Sequence, residues 1–114
     1  MRRQFIDILI HADGVTLTEA IKDAIDEKVG HVEQYAPRAV RARVRLRKAT
    51  AHHSARQFTV RVLIENPGAD FSAEESRDDV ITALDMAVGK IERQLRKRKT
   101  ERLARRERGP RRKL

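Results

Sequence analysis

The sequence predicts a two-layer α+β sandwich in which two helices cover one face of a four-stranded sheet. Apolar residues alternate with period two in several segments, as in strands, and recur at three and four residues in two others, as in helices. These patterns follow one another in the order strand, helix, strand, strand, strand, helix. Because each helix has only one apolar stripe and the sheet needs one face covered, both helices belong on the same side. A chain of 114 residues has room for one such domain.

The first strand and the first helix are predicted in the N-terminal third of the chain. Residues 5–10 have Ile at every second position, which is typical of a strand with one buried face. The helix that follows begins with Thr16 or Thr18 as its N-cap and ends before Pro37. Its apolar stripe consists of Ile21, Ile25, Val29 and Val32.

Three further strands are predicted in the middle of the chain. Residues 40–47 show the clearest alternation, and residues 58–64 form the next strand. A turn at residues 66–68 leads into a short fourth strand at residues 69–73, centred on Phe71. In the first of these strands the inward residues are Val40, Ala42, Val44 and Leu46, and the outward residues are Arg41, Arg43, Arg45 and Arg47.

The last helix is predicted to begin with Ser76 as its N-cap and two Asp in its first turn. Its apolar stripe is Val80, Leu84, Ala87, Val88, Ile91 and Leu95. The first strong stop is at residues 109–110, so the helix would be about 50 Å long, longer than the roughly 30–35 Å of its own domain. We therefore expect a domain at residues 1–99 and a basic C-terminal extension at residues 100–114, either the end of the helix or disordered.

The charge of the chain is concentrated at its C-terminal end. Residues 90–114 contain thirteen Lys and Arg and three Glu, a net charge of +10, whereas the preceding residues sum to −1. Such a block favours a polyanion-binding element, with nucleic acid as the preferred partner. An acidic protein or membrane surface and a simple solubility tail are the alternatives. The chain contains no cysteine, which suits a reducing cytosol and a cytoplasmic location.

The polar residues do not predict an enzyme, a metal site or a cofactor. His52 and His53 lie beside Ser54 in a predicted loop, but no metal-binding or nucleophile motif surrounds them. His11 and Asp13 follow the first strand and form at most an isolated acid–base pair. We therefore favour ordinary polar roles for all of these residues. The five glycines are scattered, so no phosphate-cradling loop is present.

Two interpretations of the outward arginines at residues 41–47 remain open. The favoured one is a solvated sheet face with cross-strand partners such as Glu65 and Asp70, and the other is a second phosphate-contacting surface. The chain has no Trp, one Tyr and three Phe, which argues against extended base stacking. Lys and Arg on a helix suit phosphate contacts, so we expect backbone and shape recognition of folded RNA. Composition does not separate RNA from DNA.

The sequence resembles the ribosome hibernation promoting factor and protein Y family over residues 6–99. The supporting part is the helix VTLTEAIKDAIDEKVGHVEQ, and the most specific part is the segment from AEES at residue 73 to KIERQLRKRK ending at residue 99. The resemblance implies a strand-helix-three-strand-helix domain similar in outline to double-stranded RNA-binding domains. It also implies binding to the small ribosomal subunit, between head and body, where the protein covers the paths of mRNA and tRNA and keeps resting ribosomes idle.

The resemblance further implies that basic residues of both helices contact ribosomal RNA, with Gln94 as a polar partner. His31 and Gln34 stand where the family often has Lys or Arg, so the first helix is expected to contribute less. His31 is nevertheless a candidate for contact with phosphate when it is charged. The predicted RNA-binding residues are Lys28, His31, Lys90, Arg93, Arg96, Lys97, Arg98 and Lys99.

The expected partners are the small ribosomal subunit with its RNA, and a small ribosome-pairing factor is a further candidate partner. Long members of the family carry a second domain that pairs ribosomes, and the chain length leads us to expect none here. We expect a monomer off the ribosome and no membrane contact. A DNA-binding or nucleoid-associated protein and a protein-interaction regulator of transcription remain the competing hypotheses.

Overall fold

A computed structural model describes residues 6–49 and 57–111 and confirms the α+β sandwich. In chain order the elements are β1 (Asp7–Asp13), α1 (Glu19–His31), a 3₁₀ turn (Val32–Gln34), β2 (Arg41–Lys48), β3 (Phe58–Glu65), β4 (Phe71–Arg77) and α2 (Val80–Arg111). The strands form one sheet in the order β1-β2-β3-β4. β1 is parallel to β2 because α1 lies between them as a crossover, whereas β2, β3 and β4 are joined by direct antiparallel connections.

The core lies between the inner face of the sheet and the two helices. The apolar stripe predicted for α2 is buried along its whole length, from Val80 to Leu95. In α1 and the 3₁₀ turn the stripe is also buried, except for Ile21, which is only half-buried. The sheet contributes Ala42, Val44, Leu46, Val60, Val62, Ile64 and Phe71 to the same cluster. Burial of each large aliphatic side chain contributes about 1.5–3 kcal/mol, which holds both helices on this face.

The start of α2 differs from its prediction. Asp79, not Ser76, caps the helix: its Oδ2 accepts hydrogen bonds from the backbone amide and the hydroxyl of Thr82, both at 2.9 Å. Ser76 belongs to β4, where its hydroxyl lies 2.8 Å from that of Thr59 on β3. Either residue type can cap a helix, so composition alone did not separate them. For α1 the cap is Thr18, which accepts from Ile21 N at 3.2 Å.

Two strand predictions were also wrong in detail. Val40 was predicted to face inward, but it is 55% exposed and directly precedes β2. Its backbone amide donates to Glu65 O at the end of β3 at 2.9 Å. β4 continues to Arg77 rather than ending at residue 73, since its last four residues pair with β3 despite their polarity. The turn before it contains Gly68 with φ of +93°, a left-handed conformation that favours glycine.

Helix α2 is longer than the layer on which it packs. Its 32 residues correspond to about 48 Å, whereas strands of seven or eight residues extend roughly 25 Å. The molecule is accordingly elongated, with principal extents of 63 × 35 × 18 Å. α2 is described as far as Arg111 and continues through residues 109–110, where a stop was predicted. The domain boundary at residue 99 stays a prediction. Neither helix in the described part of the chain is both long and apolar enough to cross a membrane.

Candidate nucleic-acid interface

The predicted RNA-binding residues all lie on the helical layer, where α1 and α2 pack side by side. Because each helix turns its apolar stripe toward the sheet, the polar edges of the two helices face each other across an open groove. Two ion pairs cross this groove. Lys28 Nζ lies 2.9 Å from Asp85 Oδ1, and His31 Nδ1 lies 3.1 Å from Glu92 Oε2. The charges of Lys28 and, when protonated, His31 are therefore partly neutralised by α2.

A second ion pair cluster lies on the other side of α2. Lys90 forms an ion pair with Glu75 of β4, and Arg77 Nη1 lies 3.0 Å from the same carboxylate. Glu75 is only 8% exposed, so this carboxylate is held in the protein interior by two cations. The sequence analysis missed Glu75. The signal was present, because period-two continuation from Phe71 places Glu75 on the inner face of the sheet.

The outward stripe of α2 carries unpaired positive charge. Arg93 and Lys97 are four residues apart, so they lie one turn apart on one helix face, and both are exposed. Neither they nor Lys99 form an ion pair with any residue in the described segments. Like charges at this spacing destabilise an isolated helix by a few tenths of a kcal/mol. Folding alone therefore does not favour this row of like charges, whereas binding of an anionic partner would offset their repulsion.

Two further predicted residues are placed by aromatic rings. The guanidinium of Arg96 lies 5.6 Å from the ring centre of Tyr35, which itself packs edge-on against His31. The guanidinium of Arg98 lies 5.5 Å from the ring centre of Phe71 on the β4 side. Such cation–π contacts orient a guanidinium without cancelling its charge. Both arginines are therefore held in place and still able to bind an anion.

Gln94 makes a structural contact, and its predicted role as a polar partner in RNA binding stays a prediction. Its Nε2 donates to the backbone carbonyl of Ser72 at 3.1 Å, which ties α2 to the edge strand β4. The Gln34 amide lies 2.7 Å from His31 Nε2. Gln34 therefore lies against His31 at the C-terminal end of α1.

The opposite face of the sheet carries the outward arginines. Glu65 is opposite Arg41 in the β2–β3 register and accepts hydrogen bonds from both Arg41 and Arg43, as the solvated-face interpretation expects. The hydrogen bond from Arg43 lowers the pKa of Glu65 below its ordinary value of 4.5. No ion pair joins Asp70 to these arginines among the described residues, and its Oδ1 accepts instead from the backbone amide of Asn66 at 3.2 Å.

Of the remaining candidate residues, those that the structure describes do not assemble into a site. His11 is exposed on β1, where it is aligned with Arg45 in the parallel register, and His52 and His53 lie outside the described residues. Among the side chains that the structure describes, no group of three His, Asp or Glu is arranged to hold a metal ion.

Comparison with known proteins agrees with this geometry. The family described as sigma 54 modulation protein / S30EA ribosomal protein matches residues 8–103. A ribosome hibernation promotion factor of Staphylococcus aureus (strain COL) is 36% identical over 91 residues, which cover 80% of this chain. The chain spans 47% of the length of that relative. The names of the family and of the relative describe ribosome-associated factors rather than enzymes.

Solved structures show the same fold. The N-terminal domain of protein Y from Thermus thermophilus superimposes with a TM-score of 0.66 at 26% identity, covering 81% of this chain and 96% of that chain. A ribosomal subunit interface protein from Coxiella burnetii gives a TM-score of 0.71 at 19% identity, covering 83% and 99%. Together with the family match, these findings show that the chain belongs to the sigma 54 modulation protein / S30EA ribosomal protein family, whose members include ribosome hibernation factors.

Proposed function

We propose that this chain is a non-catalytic translation inhibitor that binds ribosomal RNA of the small subunit in the decoding channel. There it occupies the space that mRNA and tRNA need, and it keeps dormant ribosomes inactive. In this mechanism the folded sandwich excludes mRNA and tRNA sterically, and the cations of the helical layer position it on the ribosomal RNA. The working location is the cytoplasm.

The observation that carries the proposal is the unpaired cationic stripe of Arg93 and Lys97 on α2. Arg96 and Lys99 add exposed positive charge on neighbouring faces of the same helix. The stripe begins on the part of α2 that packs on the domain, where Leu95 is still buried, and Lys97 follows one turn after Arg93. Phosphate contacts of this kind position a protein on RNA without reading the base sequence. The family membership supports ribosomal RNA as the polyanion, in preference to duplex DNA.

Sedimentation through sucrose gradients tests the proposal. At low salt we expect the protein to migrate with isolated small subunits and to be displaced as salt is raised, since phosphate contacts are salt-sensitive. Prebound protein should block the subsequent binding of mRNA and tRNA to the same subunits. Protein that stays at the top of a low-salt gradient would contradict ribosome binding, and unimpaired mRNA binding by loaded subunits would contradict the steric mechanism.

The same gradients contain a control for the competing hypothesis of a DNA-binding protein. Duplex DNA added in excess at moderate salt should not release the protein from small subunits if ribosomal RNA is the preferred ligand. Gradients run with whole ribosomes in place of small subunits also report whether loaded ribosomes sediment singly or in pairs.

A further inference from the structure

A second groove lies where the loop after α1, the β3–β4 turn and α2 meet. Its walls are formed by Tyr35 and Pro37 on one side and Pro67 on the other, and its apolar floor includes Phe71 and Leu95. The groove is distinct from the ion-paired groove between α1 and α2. Its volume of about 270 Å³ lies just below the roughly 300–1,000 Å³ typical of small-ligand sites.

Arg98 enters this groove with an unsatisfied donor. Its guanidinium rests over the ring of Phe71, and its Nη1 is buried without a hydrogen-bond partner among the described residues. Buried donors in native proteins are almost always paired, so an isolated one calls for an explanation. The guanidinium is oriented by the ring, and its Nη1 is enclosed by protein atoms, so an external acceptor reaches this atom only when the side chain turns toward the open groove.

The charge of the groove indicates what kind of acceptor fits. Arg38 and Lys99 also line it, and no carboxylate is among the lining residues. The other polar side chains in the lining are the amides of Gln34 and Asn66 and the hydroxyl of Tyr35. Three cations, one of which carries the buried donor, favour an anionic oxygen, and a planar guanidinium is well matched to phosphate.

We propose that this groove holds a single unpaired nucleotide of RNA. Its phosphate accepts from Arg98 and contacts Arg38 or Lys99, while its nucleoside packs against the ring walls formed by Tyr35, Pro37 and Pro67. Unpaired nucleotides of folded RNA can leave the stack in this way, whereas nucleotides within a duplex cannot. The inference rests on the proposed function and adds a contact that distinguishes unpaired from paired RNA. With one tyrosine, the site takes one nucleotide and not a row of stacked bases.

Nuclear magnetic resonance of the isotope-labelled full chain tests the site directly. The probes are adenosine 5′-monophosphate, inorganic phosphate and an oligoglutamate peptide. We expect the Nε–H signal of Arg98 and the amide signal of Gly68 to shift saturably with the nucleotide, at a concentration about fivefold or more below that needed for phosphate. Gly68 is a useful reporter because a Cβ built on it would lie 3.6 Å from Arg98 Nη2.

The matched variants are Arg98→Met and Arg93→Met, which remove the same charge from the groove and from the outward stripe. Methionine keeps an aliphatic side chain against Phe71, so the fold should persist, and thermal unfolding checks this. We expect Arg98→Met to abolish the nucleotide-induced shift of Gly68 and Arg93→Met to retain it. Arg98→Lys should show only part of the nucleotide-induced shift of Gly68 that the parent protein shows, because an ammonium lacks the planar donor pair.

Several results would overturn the inference. One is nucleotide-induced shifts at Arg93 and Lys97 that are as large as the shift at Arg98. The others are equal affinities for nucleotide and phosphate, and tighter binding of the glutamate peptide than of the nucleotide. Sedimentation keeps the two proposals separate. A parent protein that migrates with small subunits but binds no nucleotide here overturns only the groove assignment. One that binds the nucleotide but not the subunits overturns only the proposed function.

Discussion

Replacement of Arg93 and Lys97 together by alanine tests whether the outward stripe of α2 is the main phosphate-binding surface. Both side chains are exposed and have no partner in the described structure, and alanine is a good helix former. The free energy of unfolding should therefore change by no more than about 0.5 kcal/mol for each substitution. Ribosome binding, in contrast, should weaken and become less sensitive to salt.

The size of the effect follows from counterion release. Each phosphate contact contributes about 0.7–0.9 to the slope of log affinity against log salt concentration. Raising salt fourfold, from 50 to 200 mM, then costs about 2.6–3.5-fold in affinity per contact. Over this range the affinity of the double variant should therefore fall by a factor about 7–12 times smaller than the factor by which the affinity of the parent protein falls. Binding to fluorescently labelled small subunits, measured by anisotropy at four or five salt concentrations, gives both slopes.

The matched control is the double substitution Arg45→Ala and Arg47→Ala, which removes the same charge from the opposite face of the sheet. Arg45 and Arg47 are exposed and form no ion pair within the described residues, so stability should again change little. If the control reduced the slope as much as the α2 variant, net charge and not the helix face would explain binding. An unchanged slope in the α2 variant would refute the assignment outright.

Three other expectations concern the stability of the fold, and thermal unfolding checks each of them. Glu75→Gln should destabilise the protein by about 1–3 kcal/mol, because the two cations around this buried carboxylate lose their counter-charge; a neutral result would argue against the ion pair with Lys90. Asp79→Ala should cost about 0.5–2 kcal/mol while Asp79→Asn costs little, since Asn also caps helices; equal losses would contradict the capping role. Because the hydrogen bond from Arg43 lowers the pKa of Glu65, the stabilisation by Glu65 is present above its ordinary pKa of 4.5 and is lost as the pH falls through the lowered value. The difference in melting temperature between the parent and Glu65→Gln should therefore shrink on acidification, and a constant difference would refute the interaction.

The layered architecture could be predicted because it depends on backbone periodicity. The stripe from Val80 to Leu95 and the alternation of residues 58–64 each specify one buried face, and the structure buries them as expected. The errors lie where local chemistry is ambiguous. Ser76 and Asp79 are both capping residues, and only the pairing of Ser76 with β3 decides between them.

The composition of the candidate site was predictable, but its electrostatics were not. The positions of the cations on the two helices follow from helical periodicity and from the resemblance to a known family. The partners that neutralise Lys28 and His31 are 57 and 61 residues away in sequence. These pairs depend on how α1 and α2 are aligned in the folded protein. The sequence therefore did not show that Lys28, His31 and Lys90 differ from Arg93 and Lys97 in available charge.

The part of α2 that extends beyond the sheet links two equilibria, the formation of helix in this segment and the binding of a polyanion to it. Beyond Leu95, the last buried residue of the stripe, the described side chains of the helix are mostly exposed, so this part forms helix chiefly through its own backbone bonds and local side-chain pairs. Its cations repel one another, and any polyanion that prefers their helical arrangement must also raise the helical population, by mass action. Ionic strength then has opposed effects on this segment. It weakens association and withdraws the helical stabilisation that association provides, but it also screens the repulsion between the cations of the helix.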